Sequence, residues 1–258
     1  MTEANVLVTG AARGIGAEVC RQFARQGARV VALDRCEDDK RIDYPLATAE
    51  QLDAVVADCG GGATAVVADV ADRGALMAAV EGLPTFDAVV CAAGVLWGGG
   101  PLWETPEEAW EAQVGVNTTG VLNTAAATVP AMLDAAEPRS GRFVAVASAA
   151  ASRGLPSLGS YSATKHAVVG LVRSLAADLG DSGITANAVA PGATRTDILE
   201  ASAAVYGLDT PEQFSEHHLL GRLLEPAEVA SAIVWLCSPA AAAITGAVLP
   251  VDAGMTAS

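Results

Sequence analysis

Tyr161 and Lys165 stand four residues apart in the run Y-S-A-T-K, thirteen positions after Ser148. On a helix, side chains at i and i+4 share a face one turn apart, so a phenol would meet an ammonium group. A phenol titrates near 10, and using one as a base near pH 7.5 requires stabilising its anion by about 3–4 kcal/mol. One ammonium about 4.5 Å away, at an effective dielectric of about 20, provides roughly 3.7 kcal/mol. In isolation this spacing more often means a packed ring beside a solvated amine, so the chemistry depends on what surrounds the pair.

The surrounding elements are readable. A strand over 141–148 ends on Ser148, a loop with Gly154, Pro156 and Gly159 follows, and the helix carrying the pair runs apolar to Gly180. Near the N-terminus a short apolar run, 5–9, stops at T-G-A-A-R-G-I-G (9–16). A helical pattern through Val19, Cys20, Phe23 and Ala24 then closes near Gly27, and a second buried strand, 29–34, ends on Asp34. Strand, glycine turn, helix and strand in this order describe a βαβ unit of the dinucleotide-binding kind. Gly10 permits the tight turn, Gly14 lets backbone approach a pyrophosphate, and Gly16 lets helix and strand pack closely. Free N–H groups at the helix start attract phosphate. The carboxylate of Asp34 would bind the adenosine ribose hydroxyls and repel a 2′-phosphate, which predicts NAD. Arg13 and Arg35, either of which could pair with that phosphate, keep NADP as the alternative.

Further strands are expected at 64–70, ending in Asp69, and at 87–94, 185–191 and 247–251, with helices between them. The alternation predicts an α/β fold: a single doubly wound Rossmann-type domain over 1–258, its seven-stranded parallel sheet carrying helices on both faces. In a helix expected over 110–128, Asn117, Thr118, Thr119 and Gly120 are poor helix formers and predict a local distortion. Residues 36–62 open with C-E-D-D-K-R-I-D-Y-P, too polar for core, and continue as a helical segment closed by three glycines. They predict a surface insertion near the adenosine end, either a tolerated loop or a flap over the cofactor. Residues 197–225 predict a mobile substrate cap rather than core.

Composition narrows the function. The chain has 258 residues, 52% hydrophobic and 17% charged, with a net charge of −15, which excludes nucleic acid as a partner because phosphate binding needs clustered Lys and Arg. No apolar run is long enough to span a bilayer and charges interrupt the N-terminus. No membrane contact or signal peptide is therefore expected, and the protein reads as soluble and cytoplasmic. The five scattered cysteines lack a CxxC pair and read as reduced thiols. His166, His217 and His218 lack companions at metal-ligand spacing, so no metal is expected.

With T-G-A-A-R-G-I-G, Asp34, A-D-V at 68–70, C-A-A-G at 91–94, Asn117, Ser148 and Y-S-A-T-K in this order, the whole chain resembles the short-chain dehydrogenase/reductase (SDR) family. It departs at Cys91, where the family usually has asparagine. The acidic start of 36–62, its D-Y-P-L-A-T-A-E-Q-L stretch and the tail from H-H-L-L-G-R onward resemble the mycofactocin-coupled subgroup of actinobacteria. The resemblance implies an NAD-dependent oxidoreductase that interconverts a hydrophobic secondary alcohol and its carbonyl. In that subgroup NAD is held too firmly to exchange and is recycled by an external redox carrier, mycofactocin.

The same resemblance makes Tyr161 the general acid/base and Lys165 the group that lowers its pKa and holds the nicotinamide ribose. Ser148 becomes the donor to the substrate oxygen, and Asn117 the holder of a water linking Lys165 to solvent. Gly10, Ala12, Arg13, Gly14, Ile15 and Gly16 would form the phosphate turn, with Asp34 and Arg35 at the ribose. Asp69 and Val70 would meet adenine, and Ala92, Ala93 and Gly94 the adenosine side. Pro191, Gly192, Thr194 and Thr196 would contact nicotinamide and pyrophosphate. Trp97, Trp103, Leu155, Tyr206 and the 197–225 segment would line an apolar pocket for the alcohol or ketone, and the assembly would be a homotetramer. Two readings compete: an NADP-dependent ketoreductase of the same family, and an NAD-binding protein without catalytic duty. The latter would show a broken Ser–Tyr–Lys–Asn set, and none is broken.

Overall fold

Strands such as N-V-L-V-T, A-V-V-C and T-A-N-A-V-A-P are buried almost end to end, as continuous apolar runs must be in a parallel sheet covered on both faces. The computed structural model describes residues 3–257. In chain order its elements are β1 (Asn5–Thr9), α1 (Gly14–Arg25), β2 (Arg29–Asp34), α2 (Ala49–Asp58), β3 (Ala63–Val67), α3 (Arg73–Val80), β4 (Ala88–Cys91) and α4 (Glu107–Gln113). They continue as α5 (Gly120–Leu133), β5 (Arg142–Val146), α6 (Gly159–Asp178), β6 (Thr185–Pro191), α7 (Asp197–Tyr206), α8 (Pro226–Leu236) and β7 (Val248–Val251). The seven strands pair in the order β3-β2-β1-β4-β5-β6-β7, all parallel. Side chains alternate across the sheet. Val6 and Val8 join Phe23 and Ile233 in one core, while Leu7 joins Phe143 and Val172 in the other. The winding reverses between β1 and β4, which opens a crevice at the carboxyl ends of the strands.

Three expected strands stop early. β5 ends at Val146 rather than Ser148, β3 at Val67 rather than Asp69, and β4 at Cys91 rather than Gly94. Side chains capture the backbone at two of these ends: the Ser148 hydroxyl accepts the Ala150 N–H at 3.1 Å, and the Asp69 carboxylate accepts the Ala71 N–H at 2.8 Å. Such local bonds compete with the ladder and release the chain into the crevice. The four poor helix formers lie where α4 and α5 are joined by a π-helical stretch, Val114–Thr119, and α5 begins on Gly120.

The insertion is less superficial than its polarity predicts. Asp39 is buried because Arg41 grips it through two bonds, 2.8 and 2.7 Å, and Arg35 adds a third at 3.0 Å. Burial is tolerated once the charge is paired and hydrogen-bonded. Ile42 then packs with Val95 and Ala112, and α2 starts from a reciprocal cap between Thr48 and Gln51. Residues 197–225 fold as α7 and a 3-10 segment, Pro211–His217, around a small core of Leu199, Phe214 and Leu223.

The glycine turn is wedged tightly. A Cβ on Gly16 would lie 2.0 Å from the Gly10 carbonyl oxygen, and one on Gly10, whose φ is +69, would lie 2.5 Å from Ala93 Cα. Backbone would have to move in either case. Gly16→Ala should therefore lower the free energy of urea unfolding by about 3 kcal/mol, and a loss below about 0.5 kcal/mol would show that the turn is slack.

Candidate active site

α6 starts at Gly159, so Tyr161 falls in its first turn and Lys165 one turn later on the same inward face. Both are buried, Lys165 to 4% exposure. The ammonium donates to the Val146 carbonyl at 3.0 Å, at the last β5 ladder position, and lies 5.7 Å from the Tyr161 ring centroid. The geometry puts the pair together, yet the simple electrostatic expectation needs correcting. Burial pushes the Tyr161 phenol up to about 12, opposed by the Ser148 hydroxyl, with Tyr44 adding to the rise. Burial also pushes Lys165 down to about 8. Coulomb attraction alone leaves out the hydration both groups lose, and burial disfavours the charged form of each.

Asn117 stands behind the cleft. Its carbonyl accepts the Val95 N–H at 2.8 Å, and its amide donates to the Val95 carbonyl at 2.9 Å and to Thr164 Oγ1 at 3.0 Å. The π-helical stretch thus fastens the loop after β4 to α6, and the side chain is occupied in that role. Gln113, fully buried, repeats the tie one turn earlier by accepting the Trp97 N–H and donating to Ser160 Oγ at 2.8 Å. Nothing in the sequence marks Gln113 beyond its place just before the distortion.

One cavity of about 770 Å³ runs along the carboxyl ends of the strands, within the range of about 300–1,000 Å³ usual for ligand sites. Its wall includes Ser148, Tyr161 and Lys165, the turn residues Gly10, Arg13, Gly14, Ile15 and Gly16, and Asp34, Arg35, Asp69 and Val70. Ala92, Ala93, Gly94, Pro191, Gly192, Thr194 and Thr196 also line it. Ala12 sits behind the wall, its N–H donated to the Asp34 carboxylate at 3.0 Å. At the far end Leu155 and Tyr206 line the cavity, as do Ile198 and Phe214. Trp97 and Trp103 do not belong to that lining. Gln113 draws the Trp97 backbone toward α4, where the ring joins the Ile42 cluster, and Trp103, on a short 3-10 turn, is 85% exposed.

The arginines considered for a 2′-phosphate are otherwise engaged. Arg35 contacts Asp39 at 3.0 Å and Asp69 at 3.6 Å. Arg13 contacts Asp197 at 3.1 Å and donates to the Pro45 carbonyl at 3.0 Å, linking glycine turn, insertion and α7. Sequence reasoning missed Tyr44. Its hydroxyl accepts the Leu96 N–H at 3.0 Å and its ring packs with Leu96, Leu158 and Tyr161. The insertion therefore reaches the catalytic end of the crevice as well as the Asp34 end. A lone aromatic in a charged run has no periodicity by which to be found.

Together these features define a class: an α/β protein of dinucleotide-binding topology whose Tyr161–Lys165 pair faces a dinucleotide-sized cleft. A family model described as enoyl-(acyl carrier protein) reductase matches residues 10–256, and the chain belongs to the short-chain dehydrogenase/reductase family. It is 36% identical to the (-)-trans-carveol dehydrogenase of Rhodococcus erythropolis, over 97% of this chain and 96% of that one. It is 37% identical to an uncharacterized NAD-dependent oxidoreductase of Mycobacterium tuberculosis (strain ATCC 25618 / H37Rv), over 96% and 94%. The crystal structure of carveol dehydrogenase from Mycobacterium avium in complex with NAD superposes with a TM-score of 0.92 at 29% identity, covering 100% of this chain and 99% of that one.

Lys165 has a thermodynamic signature. Below about pH 8 it is charged in both folded and unfolded chains; from there to its ordinary 10.5 only the unfolded chain holds the proton. Stability must therefore rise with pH across that window. Compared with Lys165→Met, the native protein should gain about 2–3 kcal/mol in urea unfolding between pH 7.5 and 10.5. Thiols and phenols common to both proteins cancel in the difference. Parallel pH profiles would mean that the ammonium keeps its water.

Proposed function

We propose that the protein is an NAD-dependent alcohol dehydrogenase for hydrophobic secondary alcohols, with the nucleotide retained between turnovers. The observation that carries this reading is the continuity of one cavity from Asp34 to Tyr161. The residues present fit the dinucleotide. The glycine turn leaves backbone bare where a side chain could not fit, Asp34 offers a carboxylate at the ribose end, and both nearby arginines are already paired. The last point favours NAD over NADP. Relatives named as carveol dehydrogenases support an alcohol as substrate.

Bound NAD would supply the hydride acceptor. Tyr161 would take the alcohol proton at its phenolic oxygen, and the Ser148 hydroxyl would hold the reacting oxygen. Lys165, protonated below about pH 8, would favour the phenolate from beneath the ring. Apolar walls at Leu155 and Ile198 would exclude water around the carbinol. Retention of the nucleotide is supported by Arg13, which bonds both the insertion and α7, and by Tyr44 at the Leu96 backbone. Such retention fits an external redox carrier, mycofactocin, as the partner that regenerates the oxidised cofactor. A homotetramer is supported by apolar side chains left exposed, among them Leu219, Leu220 and, on α8, Trp235.

Tyr161→Phe should lower kcat at least about 1,000-fold while the nucleotide stays bound; near-native turnover would remove the phenol from the chemistry. Retention has its own assay. Denaturing protein purified without added nucleotide should release close to one equivalent of NAD, and Tyr44→Ala should release NAD on simple dialysis. Nucleotide-free protein that turns over repeatedly with added NAD would end the idea of retention.

A further inference from the structure

We propose that Arg153 reads a carboxylate on the substrate, so that the alcohols this enzyme takes are apolar hydroxy acids; this deepens the reading of the cleft as an alcohol dehydrogenase and rests on it. Arg153 lines the same cavity as Leu155, Leu158, Ile198 and Phe214, and its Nε is buried without a hydrogen-bond partner. Among the described residues one other arginine, Arg142, also has a buried, unpartnered Nε, but only Arg153 of the two lines the cavity. Of the arginines without a carboxylate partner, Arg29, Arg73 and Arg173 are exposed to water, and Arg142 donates to the Ser140 and Gly141 carbonyls. The cleft's other cations are engaged: Arg13 with Asp197, Arg35 with Asp39, and Lys165 with the Val146 carbonyl.

This chain has 30 acidic residues against 15 basic ones, so partners for an arginine are plentiful. Asp197, the carboxylate lining the cleft from α7, is held by Arg13 instead. A half-buried guanidinium with an unbonded, buried N–H is unfavourable until an acceptor meets it. Its planar fork matches a carboxylate, which accepts two parallel N–H bonds.

The chain also bounds how far Arg153 can lie from Ser148. Arg153 follows Ser148 by five residues through the 3-10 turn Ala149–Ala151, which is braced by the Ala151 N–H to the Ser148 carbonyl at 2.9 Å and by Ser152 Oγ to the Ala149 carbonyl at 2.8 Å. Five residues span at most about 17 Å even when extended, and the turn shortens that. The hydroxyl that would hold the reacting oxygen and the group that would hold the anion therefore sit on one braced loop. A substrate matching both has a carbinol and a carboxylate joined by a short hydrocarbon body.

The test compares acids with their methyl esters on the holoenzyme. Calorimetry with 3- and 4-oxocyclohexanecarboxylate and the two esters should show the better acid binding about 10- to 100-fold tighter than its ester. Arg153→Gln should bring the acid down to the level of its ester, and Arg153→Lys should recover part of the difference. Acids and esters binding alike to the native holoenzyme would overturn the proposal, as would an acid preference that survives Arg153→Gln. Turnover of the hydroxy esters is scored separately. Oxidation of esters without any acid preference leaves the dehydrogenase reading standing and rejects the role of Arg153. Arg153-dependent acid binding with no oxidation of either form does the reverse.

Discussion

Lys165 is an ammonium taken out of water with a main-chain carbonyl as its hydrogen-bond acceptor, and much of the surrounding architecture follows from that burial. Moving such a charge into a protein interior is unfavourable by several kcal/mol unless an anion meets it. The neighbouring phenol becomes that anion only after losing a proton that its own burial makes it keep. Both groups are held away from water by the elements packed around them. Asn117 and Gln113 stitch the loop after β4 to α6, and the β5 end supplies the carbonyl. Stability is given up at the place where chemistry needs it, a familiar trade in enzymes.

The scaffold was legible because its signals are local. β1, β2 and β6 have the boundaries that apolar runs and flanking glycine or proline indicate. The distortion at Asn117 to Gly120 followed from helix propensity and proved to be π-helical. Strand ends were harder, since Ser148 and Asp69 use their own side chains to bend the chain away, and a residue that terminates a ladder reads like its last member. The Tyr161–Lys165 pairing was visible from spacing. Its energetics were not, because desolvation depends on what covers the two groups, and that cover comes from segments distant in the chain.

The insertion illustrates the same limit from the other side. Its charges indicate solvent, and several are indeed exposed, yet Arg35, Asp39 and Arg41 satisfy one another closely enough for Asp39 to be buried. That knot lets Ile42 and Tyr44 reach inward to the β4 loop and α6. Polarity along a sequence counts charges one by one; burial depends on whether they are paired. Trp103 fails in the opposite sense, a large apolar residue left in water.

The guanidinium of Arg13 touches the Pro45 carbonyl on one side and Asp197 on the other. The insertion and α7 therefore share a single fastening. With nucleotide at one rim and alcohol at the other, as proposed, coenzyme preference and substrate preference would not be separate modules that divergence or design could exchange one at a time. Remodelling either rim alters the anchorage of the other, so the two selectivities should drift together as one inherited trait.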